Sequence, residues 1–117
     1  MATLSSRSVK AKGRRLQNFV RDKLREFFPA LEDDDIKSQT MGMTGEDIVL
    51  SPHAKKLIPY SFECKNQEKL NIWASMDQAE KNCPEDRDPV VVFTRNRKPT
   101  YVAMRFEDWC KKHFNNN

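Results

Sequence analysis

A layered α/β fold, with a central mixed sheet of about four strands flanked by helices, is what this chain predicts. Three observations carry it. Apolar residues recur at spacings of three and four in some segments and at a spacing of two in others, and one run, "PVVVFTRN", is apolar on both faces. The segments follow in the order helix, strand, strand, helix, strand, strand, helix, without internal repeats or an interdomain linker. With 117 residues the chain is expected to form one domain, 1–117, having material for one core and too little for two.

From about Ser8 to Phe28 the residues Leu16, Phe19, Val20, Leu24, Phe27 and Phe28 fall at helical spacing, and Pro29 ends the run. The ends, 1–8 and 115–117, have nothing apolar to anchor them and are expected to be loose. "LEDDDIKSQTMGMTG" reads as an acidic loop with glycine turns. "EDIVL" is a short strand stopped by Ser51 and Pro52, "LIPYSFECK" is the next, and the basic "SPHAKK" between them suits a hairpin. "NQEKLNIWASMDQAEKN" puts Leu70, Ile72, Trp73, Met76 and Ala79 at helical spacing before Pro84. After "PVVVFTRN" come the turn "NRKP", a strand "TYVAMRF" and a last helix "EDWCKKHF". Trp73 and Trp109 lie in helical apolar patterns and are expected in the core.

The formal charge is only +4, but it is segregated. Arg7, Lys10, Lys12, Arg14, Arg15, Arg21, Lys23 and Arg25 face the single acid Asp22, while the acids gather later in "LEDDD" and "PEDRD". Such a basic segment suits a polyanion, because each phosphate contact releases counterions. A solvated basic helix has the same composition. The three cysteines, Cys64, Cys83 and Cys110, are widely spaced and lack any CxxC or zinc-ligand pattern, so they read as reduced thiols of an intracellular protein. No apolar run approaches the roughly 20 residues of a membrane span, and a cytosolic protein without membrane partners is expected.

Chemistry concentrates in "PYSFECK". Glu63 and Lys65 are two apart on a strand and share a face, with Cys64 turned to the other. If the preceding strand lies alongside, Asp47 comes near Glu63, and two carboxylates meet an ammonium. Carboxylates are hard ligands of the kind that hold magnesium together with water and phosphate oxygens, and a lysine beside them can offset charge developing on phosphate. That is a phosphodiesterase site. "ExK" alone is also what an ordinary strand shows to solvent. Glu46 should face away from Asp47, Asp33, Asp34 and Asp35 read as a solvated loop, and His53 and His113 read as surface residues.

"GEDI", then "PYSFECK", then a helix with "WASMDQAE", then "PVVVFTRN" resemble the PD-(D/E)XK nuclease superfamily. The chain is most similar there to small phage-encoded endonucleases of Holliday-junction-resolvase type, over Lys12 to Trp109. The resemblance implies a restriction-endonuclease-like core and a metal held by Asp47 and Glu63, with the main-chain carbonyl of Cys64 as a possible further ligand. It makes Lys65 the catalytic lysine, with Mg2+ as cofactor and Mn2+ as possible substitute. It also implies cleavage of DNA, branched or junction DNA in particular, to a 5′-phosphate and a 3′-hydroxyl, by a homodimer in the host cytoplasm if the chain is phage-encoded.

In the archaeal-type resolvases a Lys-Gly-Arg run precedes a helix glutamate. Here the run is "KGRRLQ", and Gln17 stands in the glutamate's place. On a helical wheel Gln17 falls between Leu24 and Phe28, so it should face the sheet. There its amide could bind a metal's water or a phosphate, or could instead satisfy a buried backbone group. Lys12, Arg14 and Arg15 are the expected DNA contacts on this helix. Gln78 matches a glutamine of related nucleases and joins Asn71, Ala74, Ser75 and Asn82 in a small polar strip suited to a phosphate backbone, or simply to water. The competing function is a nucleic-acid-binding module that keeps the fold without cleavage, with Gln17 in its favour.

Overall fold

The computed structural model describes residues 6–40 and 42–114. The expectation of loose ends falls outside them at 1–5 and 115–117; at Ser6 to Ser8 it gives way to helix. Helix α1 (Ser6–Phe27) buries Lys12, Leu16, Gln17 and Val20, a stripe at helical spacing, and stops before Pro29. Phe19 and Phe27, expected in that stripe, are 46% and 74% exposed. Phe19 lies at the margin of the buried arc and Phe27 is the last helical residue, so both rings stay wet.

The acidic segment is more ordered than its composition predicts. Asp33–Asp35 form a 3₁₀ turn, and Asp35 accepts from the Glu32 amide at 2.8 Å and from the Ser51 hydroxyl at 2.6 Å. Strand β1 (Ile36–Ser38) follows, pairing antiparallel with β2 (Ile48–Leu50) in the register Ile36 to Leu50. The expected hairpin at "SPHAKK" is instead a short helix, α2 (Pro52–Leu57). Ser51 caps it by accepting from the Ala54 amide at 3.0 Å, and Pro52 takes the first turn, where its missing N–H costs nothing.

Strand β3 (Tyr60–Asn66) pairs in parallel with β4 (Asp88–Thr94), and helix α3 (Ile72–Asn82) makes the crossover between them. Strand β5 (Tyr101–Met104) returns antiparallel along β4, and helix α4 (Phe106–Phe114) closes the described chain. The expected single sheet of four strands is therefore two small ones, β1-β2 and the mixed β3-β4-β5. A hydrogen bond from the Asp47 amide to the Phe62 carbonyl, 3.0 Å, ties the entry of β2 to the free edge of β3.

One core lies between α1 and the sheets. Phe62, Cys64, Val90 and Val92 come from one face of β3 and β4, meeting Leu16 and Val20 from α1 and Ile36, Ile48, Leu50, Ala54 and Ile58. The side chains of Ile36, Ile48, Ile58 and Val91 are almost fully buried, each worth roughly 1.5–3 kcal/mol relative to exposure. Helix α3 covers the other face through the small residues Ser75 and Ala79. Trp73, half a turn from Ser75, is thereby 81% exposed, against the expectation of a core residue. Trp109 is 38% exposed and packs within α4 on Phe106, His113 and Phe114.

Candidate active site

Asp47 is pinned to the edge of β3 by its own backbone and side chain. Its amide donates to the Phe62 carbonyl, its carbonyl accepts from the Gln39 amide at 2.8 Å, and its Oδ2 accepts from the Cys64 amide at 2.7 Å. A residue's N–H and C=O leave a strand on the same side, so the Cys64 carbonyl also faces the Asp47 edge. Glu63, 4% exposed, lies with Oε2 at 3.6 Å from Lys65 Nζ. Helix α3 then reaches both from above. Gln78 Oε1 accepts from Lys65 Nζ at 2.8 Å, and one turn on, Asn82 Nδ2 donates weakly to Glu63 Oε1 at 3.4 Å.

The charges are arranged so that neither acid is at ease. Burial holds the Glu63 carboxyl above the ordinary glutamate range, and the negative Asp47 pushes it further the same way, with Lys65 and Asn82 opposing. Asp47 is raised by burial too, against the Cys64 amide, Lys65 and a hydrogen bond from the Gln17 side chain. Burial and both carboxylates drive the Cys64 thiol well above its usual range, leaving it protonated and inert. Asp47, Glu63 and Lys65 thus come together, although β2 does not pair with β3 and Asp47 arrives through its bonds to Phe62 and Cys64.

Gln17 is 7% exposed and faces inward, as its place on the wheel predicts. Its Oε1 is buried without a hydrogen-bond partner, so it does not serve a backbone group through that atom. An unfilled acceptor beside two reluctant carboxylates is a donor set of hard oxygens. Among the described residues no group of three or more His, Cys, Asp or Glu side chains is placed to hold a metal ion. Two carboxylates, a carbonyl and an amide oxygen fit an ion such as Mg2+, which keeps several waters and shares phosphate oxygens. Asp47 and Glu63 would hold it; once bound it would polarise a phosphoryl oxygen and acidify the attacking water. Lys65 Nζ, between Glu63 and Gln78, would set its charge beside a phosphate bound at these carboxylates.

The other expected site residues are distributed differently. Arg14 and Arg15 are exposed, but Lys12 is 7% exposed, its ammonium 3.3 Å from Glu68 and its carbonyl accepting from Asn66 Nδ2 at 3.0 Å. Lys12 therefore joins α1 to the end of β3 and is not part of the open basic face. In the α3 strip, Ser75 is buried and Asn71 caps the helix on the Ala74 amide, leaving Gln78 and Asn82 at the site. Glu46 turns away to Arg87 at 3.7 Å. The pairing of Asn82 with Glu63 is the contact that the sequence reading missed; its signal is the four-residue spacing from Gln78.

Glu63 and Lys65 on β3, with Asp47 held against that strand's edge from just before β2, bring two acids and a lysine together in a small α/β fold. The chain belongs to the family described as "Phage putative PDDEXK endonuclease", which it matches over residues 8–117. Members of such a family typically use a divalent metal and act on DNA. No curated protein and no solved structure matches the chain. Among the described residues no helix is long and apolar enough to cross a membrane.

Proposed function

We propose that the protein is a Mg2+-dependent DNA endonuclease, with Mn2+ as a substitute, that cuts branched DNA such as Holliday junctions as a homodimer in the host cytoplasm. The observation that carries the reading is the convergence of Asp47 and Glu63 beside Lys65, with both carboxyls pushed up by burial. Asp47 and Glu63 bind the ion, the Cys64 carbonyl adds an oxygen, and Lys65 offsets charge on the phosphate. Gln17 orients what the ion carries, while Arg14, Arg15 and Gln78 hold the DNA backbone. A cleavage panel of four-way junction, flap, nicked and linear duplex DNA, with and without Mg2+, tests the activity and its preference. Asp47→Ala, Glu63→Ala and Lys65→Ala should each lose at least about two orders of magnitude in rate. Wild-type-like cutting by the Asp47 or Glu63 variant would sink the assignment.

One observation favours a second reading. Gln17 replaces a carboxylate, which weakens the metal's hold and suits a module that binds DNA without cutting it. Retained, salt-sensitive DNA affinity with no cleavage in either metal would select that reading.

A further inference from the structure

The sheet face that carries Glu63 and Lys65 does not end with them. In the parallel register Lys65 is the partner of Phe93, so both project to the same face on neighbouring strands. Beyond them lies a groove of ≈ 530 Å³, walled by Leu70, Ile72, Phe93 and Tyr101 and flanked by Arg95 and Lys98 of the β4–β5 turn. We propose that this groove takes an unpaired nucleotide of the DNA substrate, its base against Tyr101 and its phosphates on Arg95 and Lys98, so that cleavage is directed to DNA with single-stranded character. This inference rests on the nuclease reading and names the feature by which it selects substrate.

Three observations support it. The Tyr101 ring stacks on Phe93 with centroids 5.8 Å apart at 29°, yet remains 53% exposed, a rigid aromatic surface on which any base can stack. Arg95 and Lys98 are exposed, and neither closes a salt bridge among the described residues. The acid lining the groove, Glu68, is already engaged: its Oε2 accepts from the Asn96 amide at 2.7 Å and faces the Lys12 ammonium at 3.3 Å.

Size chooses between forms of DNA. A groove of this volume lies within the range that encloses a small organic ligand, about 300–1,000 Å³, and is far too small for a duplex. The occupant is therefore one nucleotide out of the stack, reached from a scissile phosphate held beside Lys65. Gln67, the residue just past the end of β3, lines the groove, so it opens immediately beyond Lys65.

Binding measured without divalent metal separates this from catalysis. Fluorescein-labelled probes, a blunt duplex and the same duplex with a short unpaired branch, are titrated in EDTA and followed by anisotropy. Wild-type protein should bind the branched probe more tightly. Tyr101→Ala and the double variant Arg95→Gln/Lys98→Gln should weaken branched binding about tenfold and leave blunt-duplex affinity within about twofold, while Tyr101→Phe, which keeps the stack, should bind as wild type. Equal wild-type affinity for both probes, or equal weakening of both by Tyr101→Ala, overturns the groove assignment. Loss of that binding difference with Mg2+-dependent cleavage intact removes the groove alone. Absence of cleavage with the binding difference intact removes the nuclease reading and leaves the groove as a DNA site.

Discussion

Glu63 carries a carboxyl to a place that water barely reaches, and the consequence is a cost in stability that a bound metal ion would relieve. A folded-state pKa raised above the unfolded value means that the native protein binds the proton more tightly, so stability falls as pH rises through the raised range. At pH 7 both Asp47 and Glu63 are thus expected to lower stability. Glu63→Gln should melt higher than wild type at pH 7 while losing cleavage. Mg2+ should raise the wild-type melting temperature more at pH 7 than at pH 5, where protons compete for the same oxygens, and should not raise that of Glu63→Gln. A less stable variant that still responds to Mg2+ would place Glu63 outside the metal's reach. Gln17→Glu argues the converse: a third buried carboxylate should lower stability without metal and tighten Mg2+ binding about tenfold or more, as calorimetry would show. Unchanged affinity would remove Gln17 from the site. The acid and the lysine were legible because a period of two decides which side chains share a face. The orphan Oε1 of Gln17 and the reach of Asn82 were not, because they depend on how closely α1 and α3 approach β3.

At the scale of elements, α1 shows why charge alone misleads. Its basic residues look equivalent in composition, yet the helix turns Lys12 inward with Leu16 and Val20, at steps of four, and leaves Arg14 and Arg15 outside. DNA affinity measured against salt should therefore distinguish them. Arg14→Ala/Arg15→Ala should reduce the slope of log affinity against log salt by about 2, whereas Lys12→Ala should leave the slope unchanged and lower the melting temperature by removing a side chain buried under α1. A lowered slope in the Lys12 variant at unchanged stability would return that residue to the DNA surface. The four-residue spacing made this readable; the weight given to the basic run hid it. Other elements were hidden for different reasons. Strand β1 has three residues, too few to show a period, and is secured by long-range pairing with β2. Helix α2 was announced by Ser51-Pro52, a cap followed by a first-turn proline, which can equally be read as a strand stop. Trp73 was misplaced because α3 meets the sheet through its smallest residues, and hydrophobicity does not reveal which face of a helix comes closest.

Across the whole molecule, charge is sorted along the strands. Lys12 meets Asn66 and Glu68, so the N-terminal half of α1, with exposed Arg7, Lys10, Arg14 and Arg15, lies at the C-terminal end of β3, where Arg95 and Lys98 flank the groove. At the other end of α1, Arg25 donates to the carbonyls of Ile36 and Asp33, placing the acidic turn there and away from the groove. Such a field orients a polyanion before contact. One chain nevertheless carries one Asp47-Glu63-Lys65 site, and a junction has two strands to cut at related positions. Under the proposed resolvase reading, two-fold pairing, the commonest symmetry of soluble oligomers, would supply the second site. Helix α1 exposes Val9, Phe19 and Phe27 far apart along its length, and the strip around Asn71 and Ala74 has only Trp73 beside it. The outer side of β5 and α4 offers more apolar area, with Val102, Phe106 and Phe114 at 63%, 75% and 61% exposure. Sedimentation at micromolar concentration is expected to show a dimer, and Phe106→Asp to shift it to monomer at unchanged melting temperature. The monomeric variant should still nick a flap but lose paired cutting of a four-way junction, because the sites then arrive separately. A strictly monomeric wild-type protein that cuts linear duplex as readily as branched DNA would keep the nuclease and remove the resolvase.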